Sequence, residues 1–117
     1  MNDPVAVPKD PGAANRERRA VPRFSLIATV EITEPVADVH ISGRISEISR
    51  KGCYVDLLNP LPEGTAIRLR IARDQGTFST PAKIIYIQQG MGMGVVFVEP
   101  PADQMKTLDA WLAELGG

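Results

Sequence analysis

Ser25-Leu26-Ile27-Ala28-Thr29-Val30-Glu31-Ile32 alternates with a period of two. Leu26, Ala28, Val30 and Ile32 share one parity, and Ser25, Ile27, Thr29 and Glu31 the other. That period marks a strand with one buried face. The same pattern returns down the chain. Glu34-Pro35 breaks the first run, and Val39, Ile41 and Ile45 then alternate with His40, Ser42 and Arg44. At Ile48 the apolar parity changes, which predicts a bulge or turn near Ser46 to Gly52. Cys53, Val55 and Leu57 resume the alternation. Asn59-Pro60-Leu61-Pro62-Glu63-Gly64 reads as a turn from its proline and glycine content. Ile67, Leu69 and Ile71 alternate with Arg68 and Arg70. Arg73-Asp74-Gln75-Gly76 turns the chain again. Phe78 to Gln88 reads as a strand whose Pro81 predicts an edge or a bulge. After the turn at Gln89-Gly90, Val95-Val96-Phe97-Val98 makes the last strand.

Beyond Pro100-Pro101 the period changes. Met105, Leu108, Leu112 and Leu115 recur at helical spacing with Trp111 beside them, and Trp111 suits an anchor between helix and sheet. Six short strands followed by one helix predict an all-β fold: a six-stranded antiparallel β-barrel with a C-terminal α-helix packed on it. At 117 residues and 44% hydrophobic, the chain suits one domain with a real core. Residues 1–15 hold three prolines and few large apolar groups, so they are expected to form a flexible N-terminal tail ahead of one domain over residues 16–115.

The net charge of -1 argues against a general binder of nucleic acid or of membrane surfaces. The charge is unevenly spread, however. Arg16-Glu17-Arg18-Arg19-Ala20-Val21-Pro22-Arg23 places four arginines within eight residues, where the head meets the first strand. Guanidiniums grip phosphates and guanine edges bidentately, so this cluster points to a planar polyanionic ligand. Cys53, the single cysteine, excludes an internal disulfide and fits a reducing compartment. No apolar run is long enough to span a bilayer. With no secretory signal pattern at the N-terminus, a cytoplasmic location without membrane insertion is expected.

Other candidates carry less. No nucleophile, base and acid stand together, so catalysis is not expected. His40, the one histidine, has no evident metal partners, and no metal site is expected. Cys53 reads as a small core residue, and core filling is the favoured role of Met91 and Met93. Arg68, Arg70 and Arg73 read as a solvated strand face. No aromatic stacking platform is evident, which speaks against single-stranded nucleic acid as a partner. Glu47-Ile48-Ser49-Arg50-Lys51-Gly52 falls where the strand parity fails. A serine in such a turn can cap backbone amides or meet a ligand, and Gly52 can take positive φ or let a ligand approach closely.

Taken together, Arg19-Ala20-Val21-Pro22-Arg23 has the RxxxR spacing, and Glu47 to Gly52 nearly has the (D/N)xSxxG spacing. With the late Gly92-Met93-Gly94-Val95-Val96-Phe97 strand and the terminal helix, the chain resembles the PilZ family over roughly Arg16 to Leu115. These are bacterial receptor domains for the second messenger cyclic di-GMP. The resemblance implies a non-enzymatic receptor or adaptor, with no cofactor, whose ligand changes the surface offered to a downstream protein partner. It implies that Arg19 and Arg23 contact phosphates and guanine edges. Arg18 would add a third contact or a stacking plane, as in members that bind a stacked ligand dimer. Ser49 and Gly52 would meet the ligand from the barrel, and Glu47 would accept from guanine N–H groups. Glu47 stands where the family has Asp or Asn, and its extra methylene predicts weaker binding. The alternative is a degenerate PilZ-like domain, a ligand-independent interaction module in a motility, pilus or polysaccharide system.

Overall fold

The structure, a computed structural model, describes residues 21–116. The expected tail, Arg16, Arg18 and Arg19 lie outside the described residues.

Strand β1 (Arg23–Glu34) sends Ala28, Val30 and Ile32 inward and Thr29 and Glu31 outward, as the alternation requires. The Glu34 carboxylate then closes the first turn, accepting the N–H groups of Val36 and Ala37, each at 2.8 Å. Strand β2 (Val39–Ser49) returns antiparallel to β1. The parity change expected near Ile48 is a register shift between Ile45 and Glu47 in the pairing with β3 (Gly52–Asp56). Ser46 is the extra residue, so Ile45 and Ile48 can both point inward, fully buried. Strands β4 (Ala66–Arg73), β5 (Gly76–Gln88) and β6 (Gly92–Phe97) follow, and Gly90 supplies the positive φ of the β5–β6 turn.

The strands close in the order β1-β2-β3-β6-β5-β4, every neighbour antiparallel. Closure removes all edges, so Pro81 is not an edge residue. It stands one residue beyond the β5–β6 ladder, which ends at Ala82 opposite Phe97, and its carbonyl accepts the Val98 N–H at 2.9 Å. The register shift in β5 comes later, between Ile84 and Tyr86.

Phe78, Leu69, Ile71, Ile84 and Met93 fill the barrel with the inward residues of β1 to β3. Cys53 is buried among them, and desolvation pushes its thiol up to about 12. Met91 departs from expectation: it sits in the β5–β6 turn with 63% exposure, while Met93 is fully buried. Helix α1 (Ala102–Gly116) lies across the end of the barrel where β1 and β5 begin. Leu108 and Trp111 are its buried residues, Trp111 standing edge-on to Phe78, and the Gln104 amide oxygen accepts the Ser79 N–H at 2.7 Å. Arg73 is no solvated strand residue. It bonds Glu114 at 2.6 Å and lies 6.0 Å from the centre of the Trp111 ring.

Candidate functional site

The β1–β2 register sets the site. Arg23 pairs with Ser49 and Ser25 with Glu47, so Arg23 and Glu47 are diagonal neighbours on the outer face. Their side chains approach to 3.7 Å, each about half exposed. Such a pair is worth under about 1 kcal/mol and can yield to a ligand. Ser49 ends β2 at the turn into β3. Its hydroxyl oxygen accepts the N–H groups of Lys51 at 3.1 Å and Gly52 at 3.2 Å. The hydroxyl's donor side has only a long contact, 3.4 Å to the Gly52 carbonyl. Ser49 therefore organises the turn and keeps a proton to offer an anionic oxygen.

Gly52 does not adopt positive φ. A Cβ there would stand 2.1 Å from the Val95 carbonyl oxygen, so strand packing against β6 is what demands glycine. The same turn is pinned by Phe97 N–H donating to the Lys51 carbonyl at 2.8 Å.

Arg50, between Ser49 and Lys51, turns to the helix. Its guanidinium grips Asp109 at 2.9 and 3.3 Å, and this hydrogen bond and charge hold it yet more firmly protonated. Both partners are well exposed. Arg50→Ala is therefore expected to lower stability slightly in low salt and not measurably in high salt, as paired thermal unfolding curves would show.

Arg23, Glu47, Ser49 and Gly52 all line one cavity of about 150 Å³. Four of the six residues singled out in the sequence thus converge; Arg18 and Arg19 lie outside the described residues. Sequence reading missed the cavity's other wall, made by Lys51, Tyr54, Ile85, Tyr86 and Val96. Tyr54 and Tyr86 stand side by side, ring centres 6.3 Å apart, so two aromatic rings are present where none was expected. The Tyr54 phenol donates to the Gln88 amide oxygen. Desolvation, then the nearby Tyr86 and Asp56, raise its pKa, which keeps that proton in place. Glycines make the room: a Cβ on Gly94 would fall 2.1 Å from the Tyr86 ring, and one on Gly92 would stand 2.2 Å from the Val55 carbonyl oxygen and 2.8 Å from the Tyr54 ring. The alternation of Gly92 and Gly94 around inward Met93 was the available signal, since two outward glycines in one strand leave space for outward rings on its neighbours.

A model of the PilZ domain family matches residues 17–114, and the chain belongs to that family. Solved structures share the fold at low identity. The PilZ domain of YcgR from Escherichia coli, described with c-di-GMP, is 17% identical with a TM-score of 0.71, over 85% of this chain and 92% of that one. The inhibitor of motility MotI/DgrA of Bacillus subtilis is 23% identical with a TM-score of 0.67, over 80% of this chain and 48% of that one. The PilZ domain of CeSA, from a cellulose-synthesizing bacterium, is 19% identical with a TM-score of 0.63, over 82% of this chain and 99% of that one. This chain spans about half the length of MotI/DgrA. A search among curated proteins found no match.

Proposed function

We propose that the protein is a non-enzymatic receptor for cyclic di-GMP. The observation that carries this reading is the shared cavity: Arg23, Glu47, Ser49 and Gly52 line it together, on a barrel of the PilZ family. Arg23 and Lys51 supply positive charge for phosphate, the Ser49 hydroxyl a proton, and Glu47 an acceptor for a guanine edge. Arg18 and Arg19 complete the cationic arm from the preceding segment. The ligand closes that arm onto the barrel and so alters the surface seen by a downstream protein, in the bacterial cytoplasm.

Isothermal titration with cyclic di-GMP tests this. Arg23→Ala is expected to weaken binding ten- to a hundredfold, about 1.5–3 kcal/mol for one lost charged contact. Equal affinity in the variant would remove Arg23 from the site.

The Arg23–Glu47 contact favours one other reading, a ligand-independent interaction module, because it already gives the arginine an anionic partner. Amide NMR spectra separate the two. On the receptor reading the dinucleotide shifts Ser49 and Gly52; on the other it leaves them still.

A further inference from the structure

Strands β4, β5 and β6 hold no aspartate or glutamate, and their outward positions carry Arg68, Arg70 and Lys83. The carboxylates of the barrel wall, Glu31, Glu34, Glu47 and Asp56, all lie on β1 to β3. Ion pairing sets the same cations apart. Arg23, Arg44, Arg50 and Arg73 each meet a carboxylate, whereas Arg68, Arg70 and Lys83 form no ion pair among the described residues. The register explains why. Arg70 stands opposite Ser79 on β5, Arg68 opposite Pro81 and Lys83 opposite Ala66. On its other flank Arg70 faces Glu31, but that carboxylate accepts the Ser42 hydroxyl at 2.8 Å instead. Apolar groups border the cations. Val98 is 39% exposed beside Pro81, whose carbonyl takes its N–H, and Ile85 is 48% exposed beyond Lys83. A face made only for water gains from opposite charges on adjacent strands. This one gathers a single sign around apolar side chains, as a protein interface does.

We propose that the outer face of β4, β5 and β6 is a docking surface for a protein partner that offers carboxylates around exposed apolar side chains. Charge complementarity selects that partner: its acids meet Arg68, Arg70 and Lys83, and its apolar groups cover Pro81, Val98 and Ile85. Guanidiniums suit carboxylates in particular, which they meet with two parallel hydrogen bonds. Nucleic acid fits less well. These cations neutralise too few phosphates to hold it at ordinary salt, and the net charge of -1 adds no attraction. Ile85 also borders the ligand cavity, so the two sites are neighbours. The docking surface nonetheless does not rest on the cyclic di-GMP reading.

The test selects phage-displayed random peptides on the immobilised full chain, with no nucleotide present. The selected peptides are expected to be rich in aspartate and glutamate with apolar residues between. In NMR spectra of the chain they should shift the amides of Arg68, Arg70 and Lys83. The variant Arg68→Glu/Arg70→Glu, once thermal unfolding shows it folded, is expected to bind them at least roughly tenfold more weakly. The same peptides with lysine in place of their acids should bind the variant and not the parent, a reversal that damage to the fold could not produce. An empty selection, peptides without acidic bias, amide shifts elsewhere on the barrel, or equal affinity in the variant would each overturn the proposal. So would a single-stranded oligonucleotide, or vesicles of anionic phospholipid, shifting these amides as strongly as the peptides, because the face would then answer to any polyanion. With nucleotide absent throughout, a negative result leaves the receptor reading standing, and failure of the chain to bind cyclic di-GMP leaves this result standing.

Discussion

Gly52→Ala is expected to destabilise the barrel by about 3 kcal/mol or more, among the largest effects of any one-carbon change in this chain. The added carbon would stand 2.1 Å from the Val95 carbonyl oxygen, 3.1 Å from its carbon and 3.2 Å from the Val96 Cα. All three are backbone atoms, so no rotamer change relieves the clash. Strands β3 and β6 would have to part at Gly52 opposite Val96 and Cys53 opposite Val95. The neighbouring turn would move too, because the Lys51 carbonyl is bonded to Phe97 N–H. Urea unfolding measures the effect as a drop in midpoint at constant slope. An unchanged midpoint would mean that β6 can yield here and that the glycine serves something other than packing. The result also bears on ligand binding. Lost affinity in Gly52→Ala would follow from a displaced β3–β6 ladder before it said anything about ligand contact, so substitution at Arg23, on the outer surface, is the cleaner probe.

The barrel was legible because its inner wall is written in alternation. Ala28, Val30 and Ile32, or Ile67, Leu69 and Ile71, are apolar at every second position, and each such run became a strand facing the core. The parity break at Ile48 was equally readable, since a bulge is the one way to keep Ile45 and Ile48 both inside. Strand order was less accessible. The pairs β1–β4 and β3–β6 join segments distant in sequence, and alternation says which face is buried but not which strand is adjacent. Pro81 shows the consequence: its effect depends on where β6 stops, which no local pattern records. The site divided in the same way. Glu47, Ser49 and Gly52 are near in sequence and fell into one motif, and the first hairpin carries Arg23 to them. Tyr54 and Tyr86 come from β3 and β5, and they meet only because β6, with its two outward glycines, lies between.

Trp111→Ala is expected to be the most damaging change in the helix, by about 3–5 kcal/mol, and to leave the ligand cavity nearly intact. Trp111 is 7% exposed, stands edge-on to Phe78 at 6.5 Å between ring centres, and carries the Arg73 guanidinium 6.0 Å from its own. Truncation removes the largest side chain of the seam and leaves Phe78, at the heart of the barrel, without that contact. The helix would then depend on Leu108, the partly buried Met105, Leu112 and Leu115, the Gln104–Ser79 bond and exposed ion pairs, so its amides should exchange faster than those of the strands. In a domain this size the thermal midpoint should fall by more than about 10 °C. Circular dichroism has to follow it, because Trp111 is the only tryptophan. The turn that bears Ser49 would lose the Arg50–Asp109 tie, yet keep both N–H bonds to the Ser49 hydroxyl and the Phe97–Lys51 bond. Affinity for cyclic di-GMP should consequently change by less than about threefold at temperatures where the variant is folded. A much larger loss of affinity at such temperatures would mean that the helix, through Arg50, sets the shape of the turn, and that the helix and the binding site answer to one another.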